Sequence, residues 1–230
     1  TGGLAGDGAR FSKTYVCVNE TFGSNMAVAL GFYGDNIDIA FGSMGGWGSF
    51  GPSRLVTKSV DNILYTLDDQ NALALYKKYL GEHADNLPSS ALRFPLMIQF
   101  SNGQKVARSI LSVDENNGSI TFAGDIPQGS YAELMYANYD RLIDGASEAA
   151  QNAMRGSSNS PELAILISCV GRKLALKQRV EEEVDVIRDK LGETTTLTGF
   201  YAYGEICPFD GQQDATLNNQ TMTITTFKEH

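Results

Sequence analysis

The chain has 230 residues, 42% hydrophobic and 20% charged, with a net charge of −9. That composition supports one large globular domain or two modest ones. The acidic balance argues against a nucleic-acid backbone or an anionic membrane surface as partner, and no run reaches the roughly 18 apolar residues of a membrane span.

The first eight residues hold Gly2, Gly3, Gly6, Gly8 and Asp7, which read as a loop rather than a domain edge. No charged, apolar and small-residue succession opens the sequence, so no signal peptide is expected. Strand-like runs follow at 14–20, 26–33 and 36–44, with a hairpin turn expected at 33–36. The glycine-rich stretch 42–52 is a predicted loop and carries the single tryptophan, Trp47. Residues 54–60 and 62–68 read as a strand pair. A helix is predicted over 68–83, with Asp68 or Asp69 as its cap, Leu73, Tyr76 and Leu80 on one face, and Gly81 as its stop.

Pro88 and Pro95 bracket a joint, after which 96–100, 106–113, 119–125 and 131–137 read as strands. The second and third of these flank a hairpin turn at 114–118. A helix over 139–155 places Leu142, Ala146, Ala149 and Ala153 on one small-residue face. The run 162–170 is apolar on both faces, as in a central strand covered on both sides. One helix over 174–193 then presents Leu176, Val180, Val184, Ile187 and Leu191, with Glu181–Glu183 and Asp185 read as its solvated side. Strands at 195–205 and 220–227 close the chain. The fold class is therefore α/β to α+β: mixed, largely antiparallel sheets with packed helices, and one parallel strand–helix–strand crossover near the C-terminus.

Chemistry-bearing residues are few. Cys17, Cys169 and Cys207 are odd in number and widely spaced, which fits reduced cytosolic thiols better than disulfides or zinc. His83 follows a helix stop and His230 is the last residue, so neither has an evident catalytic partner. The glycine run 2–8 matches no nucleotide-binding loop and reads as a tight turn. Thr1 would be a nucleophile only if its own amine served as base, the arrangement of self-processing hydrolases. A chain cut is the plainer account of this start.

Polar groups among apolar strands are more informative. Arg172 ends the segment SCVGR at the carboxyl end of the central strand, where open α/β sheets hold ligands, and Gly171 permits close backbone approach. Glu205 ends the next strand, with Tyr201 and Tyr203 expected on its own face by alternation. Asn219 lies in LNNQTM just before the last strand. These residues compose either a ligand cup or an Arg172–Glu205 salt bridge that pins helix to sheet.

The motifs GGLAGD (2–7), GGWGSFGPSRLVTKSVDNILYTLDDQNALALYKKYLG (45–81), SCVGR (168–172), GFYAYGEICP (199–208) and LNNQTMTIT (217–225) together resemble the FIST family of sensory domains. The resemblance covers essentially the whole chain. It implies the latter part of a FIST N-terminal domain over 1–70 and a FIST C-terminal domain over 71–230, with the early N-terminal part missing. It also implies a cytoplasmic, bacterial sensory module without catalysis that binds a small polar ligand such as an amino acid. Such modules relay to a histidine kinase, a diguanylate-cyclase or a chemoreceptor signalling protein. Family positions match at Cys169, Gly171, Arg172, Tyr203, Gly204, Glu205, Asn219, Gln220 and Thr221. The family commonly has histidine where this chain has Asn218. Haem-based nitric-oxide sensing is a second implication, and a docking module without small ligand a third. The haem alternative needs an axial ligand such as His83, Cys169 or Cys207. The binding set expected from residues and resemblance together is Arg172, Tyr201, Tyr203, Glu205, Asn219 and Cys169, with no metal.

Overall fold

A computed structural model describes residues 1–8, 10, 12–155, 160–208 and 214–230. Its first half contains the strands β1 (Gly2–Gly3), β2 (Val16–Val18), β3 (Thr21–Gly23), β4 (Ile37–Met44), β5 (Gly48–Ser49), β6 (Arg54–Val60), β7 (Ile63–Leu67) and β8 (Gln70–Asn71), then the helix α1 (Ala72–Leu80). Next come β9 (Leu96–Gln99), β10 (Lys105–Arg108), β11 (Ile110–Asp114), β12 (Ser119–Phe122), β13 (Tyr131–Tyr136) and α2 (Tyr139–Ala153). The last part holds β14 (Leu163–Cys169), α3 (Val170–Leu176), α4 (Val180–Leu191), β15 (Thr196–Ala202), β16 (Glu205–Pro208), β17 (Ala215–Asn218) and β18 (Met222–Glu229).

The mixed architecture expected from the sequence is the one observed. A nine-stranded antiparallel sheet runs β10-β9-β13-β6-β7-β12-β11, with β5 beside β13 and β8 beside β7. Val56, Leu64, Ile98, Ile120 and Phe122 form its core together with Leu73, Tyr76 and Leu80 of α1. A four-stranded sheet runs β15-β14-β18-β4. Its β14–β15 pair is parallel and joined through α3 and α4, as the strand–helix–strand order near the C-terminus predicted. A third sheet, β1-β16-β17, lies where the two larger ones meet.

Local chemistry explains these elements. In α2 the small-residue face buries Ala146, Ala149, Ala150 and Ala153 against Ile224 and Met222 of β18. Asn138 caps this helix, its side chain accepting from the amide of Asp140 at 2.9 Å. The close approach depends on Gly42 in β4, where an added Cβ would fall 2.2 Å from the Ala149 carbonyl oxygen. Likewise, a Cβ on Gly3 would sit 2.7 Å from the Ile167 side chain.

Four expectations are corrected. The first helix begins at Ala72, capped by Asn71, because Asp68 and Asp69 adopt positive φ (48° and 61°) and turn β7 back into β8. Residues 26–33 form no strand: no neighbouring strand offers them a ladder, and Val28, Leu30 and Phe32 stay exposed. The helix expected over 174–193 is broken. Lys177 turns to φ 55°, a 3-10 segment covers Lys177–Arg179, and α4 restarts at Val180. Finally, Glu183 is not on a solvated face. It lies four residues before Ile187 and eight before Leu191, in the buried stripe of α4, and is fully buried.

Replacing Gly42 by Ala should force α2 off the sheet and cost about 2 kcal/mol through overpacking. Chemical denaturation measures this; an unchanged midpoint would mean that α2 does not rest on β4 as described.

Candidate functional site

Arg172 and Glu205, expected to face each other, do not pair. Arg172 stands in α3, just past the end of β14, and reaches the helix-covered side of the four-stranded sheet. There its Nε donates to Glu183 Oε2 at 2.8 Å, its Nη2 to the Leu142 carbonyl at 2.6 Å, and its Nη1 to the Gly45 carbonyl. Every guanidinium nitrogen is thus engaged, and the residue is fully buried. Glu183 is satisfied in turn: its Oε1 accepts from Ser168 Oγ at 3.0 Å and from the Tyr201 hydroxyl at 3.3 Å. Burial and the nearby Glu183 charge push the Tyr201 phenol above its ordinary pKa. A cleft of about 270 Å³ opens beside this group, lined by Ser168, Glu183, Val184, Gly199, Tyr201 and Met222.

Glu205 starts β16, which belongs to the third sheet. The bend at Tyr203 and Gly204 interrupts the alternation that was to place Tyr201, Tyr203 and Glu205 on one face. Glu205 Oε2 accepts from the Thr221 amide at 3.1 Å and from Thr221 Oγ1 at 2.8 Å. The Cys169 thiol lies alongside the Glu205 carboxyl. Arg172 acts on Glu205 only through space. Burial dominates, so the Glu205 carboxyl is pushed up to about 8 and is mostly protonated at neutral pH, while the buried Cys169 thiol is pushed up as well.

Three buried oxygens in this neighbourhood meet no hydrogen-bond donor: Glu205 Oε1, Asn218 Oδ1 and Gln220 Oε1. Glu205 and Asn218 are directly opposed across the β16–β17 ladder. The Asn218 amide is fixed, because its Nδ2 donates to the carbonyls of Thr216 (3.0 Å) and Cys207 (3.4 Å). Gln220 donates through Nε2 to Ser109 Oγ at 2.7 Å, and its amide rests on Gly171, where an added Cβ would lie 2.4 Å from Nε2. Turning that amide over would only exchange an orphaned acceptor for an orphaned donor. Asn219 is used structurally: its Nδ2 donates to the Asn218 carbonyl at 3.1 Å and its Oδ1 accepts from the Ser109 amide at 3.5 Å. Trp47 holds the same turn, Nε1 donating to the Gln220 carbonyl at 2.8 Å.

The remaining candidates lie apart. The Tyr203 hydroxyl donates to Asp7 and, at 2.8 Å, to the Gly8 carbonyl, tying the N-terminal loop to the strand end. That bond and the Ser12 amide hold the Asp7 carboxyl far below the usual range. Thr1 Oγ1 meets Thr225 Oγ1 at 2.5 Å. His83 is exposed with its ring 5.2 Å from that of Phe94, and Cys207 is buried. Among the described residues no group of three or more His, Cys, Asp or Glu could hold a metal ion, and no helix is long and apolar enough to cross a membrane. A larger cleft of about 590 Å³ lies at the amino end of β14, but it is shallow, and of its charged lining residues Asp35, Glu162, Lys228 and Glu229 the single cation, Lys228, already pairs with Glu162 at 2.8 Å. Missing from the expected site were Ser168, Glu183, Asn218, Gln220 and Thr221. Glu183 was findable from its place in the apolar stripe, and Asn218 from its departure from the family motif.

A family model described as the FIST N domain matches residues 1–70, and one described as the FIST C domain matches residues 72–208. No curated protein and no solved structure matches the chain.

Replacing Glu183 by Gln removes the one carboxylate bonded to a buried guanidinium, and should destabilise by roughly 3–5 kcal/mol. A loss below about 0.5 kcal/mol, typical of surface changes, would contradict its buried role. For Glu205 the sign follows from its raised pKa. The folded state holds a proton that the unfolded chain releases near 4.5, so this contribution is complete below 4.5 and is lost as pH rises through about 8. Glu205→Gln should therefore flatten the stability profile between pH 5 and 8, where the wild type loses up to about 1.4 kcal/mol per pH unit. Parallel urea-unfolding profiles for the two proteins would contradict this.

Proposed function

The chain belongs to the FIST family of sensory domains, and from that premise we propose that it senses a small polar molecule of the amino-acid class, bound at the strand tips around Glu205. The observation that carries this reading is the group of donor-less oxygens on Glu205, Asn218 and Gln220. Buried polar atoms are nearly always paired, because an unpaired one bears its full desolvation cost. A ligand ammonium brings three donors and a positive charge, which suits these oxygens once Glu205 gives up its proton. The location at the carboxyl end of the central strand β14 is where open sheets hold ligands.

In this reading the sequence-derived site divides. Glu205 and Cys169 line the pocket, and Asn219 shapes it. Arg172 and Tyr201 brace it from behind through Glu183, since each Arg172 nitrogen already donates within the protein and the residue is fully buried. Tyr203 anchors the N-terminal loop at its rim. Binding an ammonium would turn Glu205 into a carboxylate and release its proton, altering the pairing of Thr221 and Gln220 and, through Trp47, the loop that touches Arg172. That sequence of contacts is the candidate signal to a histidine kinase, diguanylate-cyclase or chemoreceptor partner.

Thermal-shift measurements with a panel of amino acids test the reading. A ligand at a hundred times its Kd should raise Tm by about 5–10 °C, and Glu205→Gln should abolish the rise. Affinity should increase about tenfold per pH unit below 8 and level off above it, since proton release is part of binding. No shift with any member would favour a docking module instead.

A further inference from the structure

Two arginines among the described residues are buried, and their surroundings differ in kind. Arg172 has a carboxylate. Arg108, at the end of β10, has none: it is 6% exposed and forms no ion pair. Its bonds all go to carbonyl oxygens, from Nε to Asp125 at 3.3 Å and from Nη1 to Leu217 at 3.0 Å and Ala107 at 3.4 Å. Its Nη2 makes no hydrogen bond and is not among the sealed, unpaired atoms, so it keeps access to the surface. The Asp125 side chain is exposed and its carboxylate acts on Arg108 only through space, and burial pulls the Arg108 pKa down. A buried cation without a bonded anion carries its desolvation cost uncompensated.

The place of Arg108 gives this cost a use. Gly124 makes room for the guanidinium, since an added Cβ would lie 2.8 Å from its Nε. The carbonyl that Nη1 meets belongs to Leu217, next to Asn218. The following residue, Ser109, breaks β10 from β11 and bonds both Asn219 and Gln220. The cation without an anion and the oxygens without donors therefore flank one stretch, 217–220.

We propose that Arg108 recognises the acidic group of the ligand, a carboxylate held by its unbonded Nη2, while Glu205, Asn218 and Gln220 receive the donor-bearing end. This assignment rests on the strand-tip site being a ligand site. It replaces Arg172, whose three nitrogens each already donate, by the buried arginine whose Nη2 makes no bond. A carboxylate would accept a charge-assisted bond from the Nη2 N–H groups, and the carbonyl bonds of Nε and Nη1 that hold Nη2 in place are ones lysine cannot reproduce.

The test compares amino acids with their carboxamides, in which the acid is neutral and the amine retained. The wild type should bind the acid on the order of 100-fold more tightly than the amide. Arg108→Gln should remove that preference while amine binding persists, and Arg108→Lys should weaken acid binding by about tenfold or more. Equal wild-type affinity for acid and amide would overturn the Arg108 assignment and leave the site around Glu205 standing. A preference surviving in Arg108→Gln would also overturn it. If neither form binds the wild type, both readings fall. Should Arg108→Gln fail to fold, Gly124→Ala displaces the guanidinium without removing its charge, and the acid preference should drop; an unchanged preference would count against the assignment.

Discussion

The buried ion pair of Arg172 and Glu183 is the constraint on which the C-terminal part of the molecule depends. A single guanidinium joins α3, α4, the carbonyl end of the first turn of α2 and the loop before Trp47. Glu183 extends the joint to β14 through Ser168 and to β15 through Tyr201. Such a pair adds little net stability over apolar packing, yet removing one partner leaves a charge stranded. Its effect is to fix which way α3 leaves the strand, and hence where the tips of β14 and β16 meet.

That placement separates two roles that one arginine was expected to fill. The network under the sheet is closed, with each polar atom of Arg172 and Glu183 matched. The network at the junction of the sheets is open, with protonated Glu205, amide oxygens and a solitary Arg108. Closed networks rigidify, whereas open ones store a cost that a bound partner relieves. The division between a saturated scaffold and an unsatisfied rim follows from a few positions: Gly171, which lets Gln220 press close, and the bend at Tyr203 and Gly204, which swings Glu205 out of the plane of β15.

Much of the fold was legible because period and punctuation agree locally. The two-sided apolar run of β14, the alanine face of α2 and the turn at 114–118 each read correctly from residue spacing. Reading failed where tertiary contact overruled spacing. Lys177 breaks a continuous helical pattern, and nothing in its neighbours announces a positive φ. The run 26–33 has strand composition but no neighbour, and composition cannot supply a ladder. Buried polar residues were recognised by type more reliably than by partner. Glu205 was correctly singled out as a buried acid, yet alternation carried across a bend gave it the wrong companions. Glu183 was hidden in an acidic run whose other members are not buried, although its distance from Ile187 and Leu191 placed it inside.

The interleaving of strands carries a lesson for protein engineering. β4 pairs along its whole length with β18, and β6 pairs with β13, so residues matched by the FIST N domain complete sheets begun by the C-terminal part. A cut near residue 70 would strip β18 of a neighbour and leave its amides facing water. Chimeras that graft these FIST domains onto other proteins should carry both segments as one inseparable cassette.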